Sequence, residues 1–564
     1  MLPVLNKINQ FTDNIYMNSI DTLQNIDSTY KNHLKLNYKK IKYIKFKECC
    51  DNSISNSINE LSTYDFNKFN SLKTLLLSHG SLPSNIGINN LNLYNLKTLN
   101  LNFNNISSIN QFNNLPNLRR LKLSNNQIFK IDGLNNLSNL RHLDLSHQII
   151  KHEFLLPELY LINKIENVNH LSNLRGLNLS QNAIQSIENV YNLPYLKFLD
   201  LSNNLIQSDL NFSLNLNNLS SNLNVLLLNG NLIQSISNVY WQNFKNLKKL
   251  DLSHNKIVEI PESFNCLTNL NELFLENCGF KNGYENSLNN LSNLNNLKLL
   301  VLSNNKIEVI GDLFDSSNNN LQLLDLSFNC IQSIDSPFKK LRNLKNLDLS
   351  YNKIKQITGF DNNNNLINLN LQNNFINHLD NLKNLTKLTR LNLMKNHLTC
   401  LNPLNCLINL QELNLQKNKI SDINGMRLNN LTKIDLSRNL IRSVSLFDTQ
   451  ESFYFNFNNF NNYNKPKFSN LKSIRLNENK IEKISIKIDN NKFTNLEFID
   501  LSHNRIKKEN NLQVNIAVNN DIKSHLKIKL DGNQLSKYKI IPKNNVNNEV
   551  APLPLFNGLV LGLS

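Results

Sequence analysis

His152-Glu153 is the nearest this 564-residue chain comes to a zinc-hydrolase signature, and it lacks the second His that H-E-x-x-H needs to close a metal site. There is no G-x-x-x-x-G-K-[ST] phosphate loop, no G-x-G-x-x-G turn, no G-x-S-x-G nucleophile elbow and no kinase signature set. Among the 7 cysteines, Cys49-Cys50 is an adjacent pair without ligand spacing. Cys266, Cys330, Cys400 and Cys406 stand singly beside leucines, and the cysteines read as buried, reduced thiols. Hydrolase, kinase and nucleotide-binding chemistry have no residues to carry them. The expectation is a non-enzyme with no catalytic residues, no metal and no cofactor, whose chemistry is recognition.

The elements that would position recognition residues repeat. Leu118-Arg-Arg-Leu121-Lys-Leu123-Ser-Asn-Asn126-Gln-Ile128-Phe-Lys-Ile131 has the frame L-x-x-L-x-L-x-x-N-x-I-x-x-I. The frame restarts at Leu72, Leu96, Leu140, Leu174, Leu196 and onward to Leu471 and Leu496. In Leu344-Lys-Asn-Leu347-Asp-Leu349, the two-residue period marks a short strand, with Leu347 and Leu349 inward and Asn346, Asp348 and Ser350 outward. After Asn352 the apolar step becomes three, through Ile354, Ile357 and Phe360, which suits 3₁₀ turns better than α-helix. The recurrent Asn, as at Asn126, Asn352 and Asn504, offers both donor and acceptor to backbone groups at the bend after each strand. Cys278 replaces it once, and Gly80 and Gln148 fit less well. Asn is about a fifth of the chain, beyond what the bends need, and runs such as Asn362 to Asn365 read as polar filler.

This frame resembles the leucine-rich-repeat superfamily over residues 41–535, in about 18 clear copies. Spacings such as Leu344, Leu366, Leu388 and Leu410 look like the short intracellular class that includes a regulatory subunit of protein phosphatase 1. The resemblance implies an α/β solenoid curved as a horseshoe, with a parallel β-sheet on the concave face and 3₁₀ turns and short helices on the convex face. Residues 1–40 would be an N-terminal cap, with Ile15, Ile20, Leu23 and Ile26 on a helix face, and 536–564 a C-terminal tail that covers the last coil. Two insertions break the array, near 151–171 and 446–468. The first reads as a contracted extra coil; the second, with Phe453, Phe460 and Tyr463, reads either as a recognition loop or as a low-complexity segment.

Side chains at outward strand positions are then the candidate site. From Leu196 to Leu321 they include Phe198, Val225, Leu227, Phe274, Leu299, Val301, Leu323 and Phe328, an apolar patch of the kind that marks protein contact. From Leu388 to Leu471 they include Arg390, Lys417, Lys433 and Arg438, a basic stripe. Recurring Asp144, Asp200, Asp251, Asp325, Asp348, Asp435 and Asp500 read as repeat structure. The reading that follows is a non-catalytic scaffold holding a protein partner on the concave face.

Two alternatives stay open. One is regulation of protein phosphatase 1, because Lys42-Tyr-Ile44-Lys-Phe46 matches a loose basic-x-aliphatic-x-aromatic docking pattern. The other is nucleic acid or anionic membrane bound through the basic stripe. The net charge is +17, from 60 Lys and Arg against 43 Asp and Glu. It is spread along the chain with no polybasic block, so nucleic acid is not the expected partner. No apolar run has signal-peptide or bilayer-spanning length, so the expectation is an intracellular protein of the cytoplasm or nucleus.

Overall fold

Most described repeats carry a three-residue strand whose middle Leu or Ile is buried and whose flanking residues are not. Leu99, Leu121, Leu324 and Leu347 are all 2% exposed or less. In a strand successive side chains alternate faces, so one buried residue between two open ones is what a three-residue strand must show. The computed structural model describes residues 14–17, 42–46, 69–78, 93–149, 161–208, 210–280, 288–310, 320–334, 336–357, 359–379, 382–422, 428–449, 452–456, 467–468, 470–488, 496–507, 512–516, 527–533 and 560–562. They fall into two units, residues 1–279 and 280–564.

In the first unit the strands are β1 (Asn14–Met17), β2 (Tyr43–Phe46), β3 (Thr74–Leu76), β4 (Thr98–Asn100), β5 (Arg120–Lys122) and β6 (His142–Asp144). They continue with β7 (Gly176–Asn178), β8 (Phe198–Asp200), β9 (Val225–Leu227), β10 (Lys249–Asp251) and β11 (Glu272–Phe274). Each pairs in parallel with the next, one strand per coil. One short helix, α1 (Leu210–Asn217), and 3₁₀ turns at Trp241–Phe244 and Glu262–Cys266 fill the opposite side. Trp241 stacks edge-on against Phe264 at 4.7 Å, and its indole N–H donates to the Ile236 carbonyl at 3.3 Å. That donation satisfies the one polar atom the ring buries.

In the second unit β12 (Leu299–Val301), β13 (Leu323–Asp325), β14 (Asn346–Asp348), β15 (Asn368–Asn370), β16 (Arg390–Asn392), β17 (Glu412–Asn414) and β18 (Lys433–Asp435) form the same parallel ladder. Beyond β18 come β19 (Ser443–Thr449), β20 (Ser452–Asn456), β21 (Lys467–Phe468), β22 (Ser473–Arg475), β23 (Lys483–Ile488), β24 (Phe498–Asp500), β25 (Leu512–Ile516), β26 (Lys527–Lys529) and β27 (Val560–Gly562). Of these, β22, β24 and β26 extend the main sheet, and β27 closes on β26 antiparallel. The others make a second sheet in the order β21-β20-β19-β23-β25. Ser443-Val-Ser-Leu446 and Lys483-Ile-Ser-Ile-Lys-Ile488 alternate with period two, with β-branched Val444, Ile484, Ile486 and Ile488 at apolar positions, so these coils continue as strands where earlier coils turn as 3₁₀.

The bend after each strand is held by an amide. Asn352 Nδ2 donates to the carbonyls of Leu326, Leu349 and Ser350 at 2.9, 3.1 and 3.2 Å, and its Oδ1 accepts from the Ile331 N–H at 3.0 Å. Gln148 makes the same set, donating to Leu123, Leu145 and Ser146 and accepting from Ile128, so its longer side chain is a full substitute. At Cys278 only a thiol is present, donating to the Leu252 carbonyl at 3.3 Å, and burial pushes its pKa up to about 12. Gly80 lies outside the described residues.

Several expectations change. Asn14–Met17 is a strand paired with β2, so Ile15 does not lie on a helix face; Ile20, Leu23 and Ile26 lie outside the described residues. The first insertion adds no coil. β6 pairs directly with β7, and the Ala183 N–H meets the Ile162 carbonyl just as Gln127 meets Ile106. Ile162 therefore stands where the residue two past the bend amide stands elsewhere, and the extra residues follow Gln148. The second insertion carries the hairpin β19–β20, with Phe453 opposite Asp448; Phe460 and Tyr463 lie outside the described residues. In the tail, β27 lies at the edge of the last coil, paired with β26.

The cysteines are less uniform than expected. Only Cys278 is buried; Cys266, Cys330 and Cys406 are half-buried and Cys400 is exposed, since they sit beside the core leucines on turns and not among them. Cys49 and Cys50 lie outside the described residues.

The asparagine run 362–365 is not filler. Asn363 takes a core leucine's place, fully buried, and donates to the carbonyls of Phe338 and Leu341 at 3.0 and 2.9 Å. Asn365 belongs to a second amide row, one residue before the first Leu of the frame. Asn95, Asn117, Asn139, Asn365, Asn409 and Asn430 each donate to a carbonyl of the preceding coil, at 2.7 to 3.0 Å. These bonds absorb part of the Asn excess, because turn carbonyls stacked at coil spacing need donors.

Candidate functional site: the open strand positions

Parallel pairing turns the outward residues of successive strands into columns about 4.8 Å apart. In the first unit, Phe198 registers with Val225, and Val225 shares its strand with Leu227, so these three form one apolar group. The next coil interrupts it, because Lys249 and Asp251 occupy the same columns. Phe274 is thus separated from the trio. Its ring lies 4.6 Å below the Lys249 ammonium, which also pairs with Glu272 at 3.1 Å.

In the second unit, Leu299 registers with Leu323 and Val301 with Asp325, giving a half-buried apolar group at one end of an open groove. Phe328 is 51% exposed and stacks on Tyr351 at 4.2 Å. The groove encloses about 760 Å³ over strands β13 to β18 and β22. Past Leu323 its floor is polar. Asn370 Nδ2 donates to Asp348 at 2.9 Å, and Gln372 bridges Tyr351 and Asn392 at 2.9 and 3.0 Å.

The expected basic stripe is partly neutralised, with Lys417 in no ion pair among the described residues. Glu412 registers between Arg390 and Lys433 and pairs with both, at 3.3 and 3.0 Å. Arg438 holds Glu478 at 2.7 Å, and Arg475 sits 3.7 Å from Asp435. Such exposed pairs contribute about 0–1 kcal/mol each, so their effect is on local charge. Glu412 and Glu478 lie among the same outward positions as the cations, a signal legible in the sequence once all outward residues, of either sign, are set in register.

Phe328, Lys417 and Arg438 share another feature. Each precedes a bend amide and has a left-handed backbone, with φ of 53°, 56° and 56°. A side chain there costs roughly 1–2 kcal/mol, tolerated because the bend is fixed by the amide beside it. The aspartates behave as repeat structure. Asp200 accepts from the Ser202 N–H and hydroxyl at 3.0 and 2.6 Å, and Asp348 from Ser350 at 2.9 and 2.6 Å. Burial raises the Asp325 pKa, opposed by its hydrogen bonds from Ser327 and reinforced by neighbouring Asp348.

Residues 94–150, 221–280 and 295–354 match the leucine rich repeat family, on the same frame whose strands and amide bends are described above. The matched repeats are leucine-rich repeats. No curated protein matches it. Among solved structures, this leucine-rich-repeat chain is 26% identical to an internalin (InlF) of Listeria monocytogenes, over 64% of this chain and 94% of that one, with a TM-score of 0.46. It is 25% identical to a leucine-rich-repeat protein of Leptospira interrogans, over 68% and 80%, at 0.42. YopM of Yersinia enterocolitica is 20% identical over 79% and 89%, at 0.45.

The short-repeat phosphatase-regulator class gains no support from these comparisons, and its docking segment is already occupied. Ile44 is fully buried, and β2 pairs on one edge with β1 and on the other with β3, so the backbone of 43–46 has no free edge to offer a partner. Among the described residues, no group of three or more His, Cys, Asp or Glu could hold a metal ion, and no helix is long and apolar enough to cross a membrane.

Proposed function

We propose that this leucine-rich-repeat chain is a non-catalytic scaffold that holds a protein partner in the groove of its second unit. The observation that carries the reading is the groove itself: seven neighbouring strands present open positions around about 760 Å³. Its apolar end is Leu323, backed by Leu299 and Val301 on the adjoining strand β12, and it adjoins the registered pair Asp325 and Asp348. Two carboxylates side by side repel each other, and a partner cation would relieve that repulsion. A partner segment placing an apolar side chain beside Lys or Arg fits this end, with the amide floor left to hydrogen-bond its backbone.

The test begins with affinity purification from cell extract and proceeds to calorimetry with the partner recovered. Leu299→Ser with Leu323→Ser should weaken association by about 2 kcal/mol or more, with circular dichroism unchanged. Full binding by the folded variant would sink the assignment.

A further inference from the structure

The charge that is scattered in sequence is gathered by the fold into a single row in the first unit. The residue that follows the first Leu of the frame is Lys73, Lys97, Arg119, Arg141, Arg175 and Lys197 on six successive coils. Their backbones are bonded in order, each N–H to the carbonyl of the one before, at 2.7 to 2.9 Å. Six cations at strand spacing make a line about 24 Å long. The outward positions beside it add Arg120 and Lys122 on β5.

Among the described residues no ion pair engages the row. The ion pairs of the first unit, among the described residues, are Lys249–Glu272 and His254–Glu276, several coils away. The outward acids of β3 to β8 are Asp144 and Asp200, each bonded to its own Ser two residues on. His142 senses the field: its pKa is lowered by burial first, then by Arg120, Arg175, Arg141 and Lys122. Its ring lies against Gly176, where a Cβ would come within 2.9 Å of Nδ1.

Two exposed tyrosines lie on turns that lead into the row. Tyr94, 59% exposed, lies three residues before Lys97; Tyr195, 56% exposed, lies two before Lys197. We propose that this row binds a single-stranded nucleic acid, with the phosphates along the cations and bases stacked on Tyr94 and Tyr195. A membrane presents its charges in a plane and would be met by a field, not a line. An acidic peptide supplies the charges but offers a flat ring only where an aromatic residue falls, whereas every base has a face to stack.

The experiment is fluorescence anisotropy of a labelled oligouridylate of about 12 nucleotides, titrated with the full chain over a series of salt concentrations. Polyglutamate and phosphatidylserine vesicles serve as competitors. Arg119→Gln, Arg141→Gln and Arg175→Gln together should flatten the log–log salt slope by about 2, since each lost phosphate contact removes about 0.7. The three Arg→Lys changes should keep the slope. Tyr94→Ala with Tyr195→Ala should weaken binding by about tenfold or more without changing the slope. Lys353→Gln with Lys355→Gln, exposed in the second unit, should change nothing. The proposal is overturned if the oligonucleotide fails to bind at low salt or if the triple Gln variant binds as the parent does. It is also overturned if the tyrosine variant is unaffected, or if polyglutamate or vesicles displace the strand at equal charge concentration.

Discussion

Asparagine stands in three different settings in this chain, and position decides what its loss costs. Asn352 satisfies backbone groups at a bend, Asn363 fills a leucine's place in the core, and Asn364 is exposed with no such role. The consequences of removing each differ accordingly. Asn352→Ala and Asn363→Ala should each lower stability by about 1–3 kcal/mol, by stranding buried carbonyls. Asn364→Ala should stay within about 0.5 kcal/mol of the parent. Urea midpoints compare the three; equal shifts at 363 and 364 would contradict the buried placement of Asn363.

The elements tolerate insertion where the strand ladder is not involved. The residues added after Gln148 leave β6 and β7 paired in register, and the coil resumes at Ile162. Excising residues 150–161 would put Ile162 two residues past Gln148, the spacing that Ile128 has from Asn126. Loop length enters folding free energy only logarithmically, so the deletion should change the thermal midpoint by no more than a few degrees, about 1 kcal/mol. A large loss, read by differential scanning calorimetry, would mean that the segment is part of the coil after all.

Over the whole molecule, stability is a sum over neighbouring coils within each unit, not one shared core. Leu347 is 2% exposed at the centre of β14, between β13 and β15. Leu347→Ala should cost about 2–5 kcal/mol at that coil. Hydrogen exchange should quicken in β13, β14 and β15 and fade within the same unit by β24 and β26. Uniform loss of protection across the unit would show one cooperative block and refute the nearest-neighbour account.

The frame alone determined the strand triplets, the inward leucines and the bend amides, because each depends only on local period and on the hydrogen-bonding capacity of one side chain. It also marked Phe198, Val225 and Leu323 as outward residues. Which outward residues meet was decided by register between coils. Register split Phe274 from Val225 with Lys249, set Glu412 between Arg390 and Lys433, and put β2 inside the sheet. It also lined up Lys73, Lys97, Arg119, Arg141, Arg175 and Lys197, which lie 22 to 34 residues apart in the chain and one strand apart in space. A charge is read in sequence by its neighbours along the chain, but its field is set by its neighbours in three dimensions, and in a solenoid those are one full coil away.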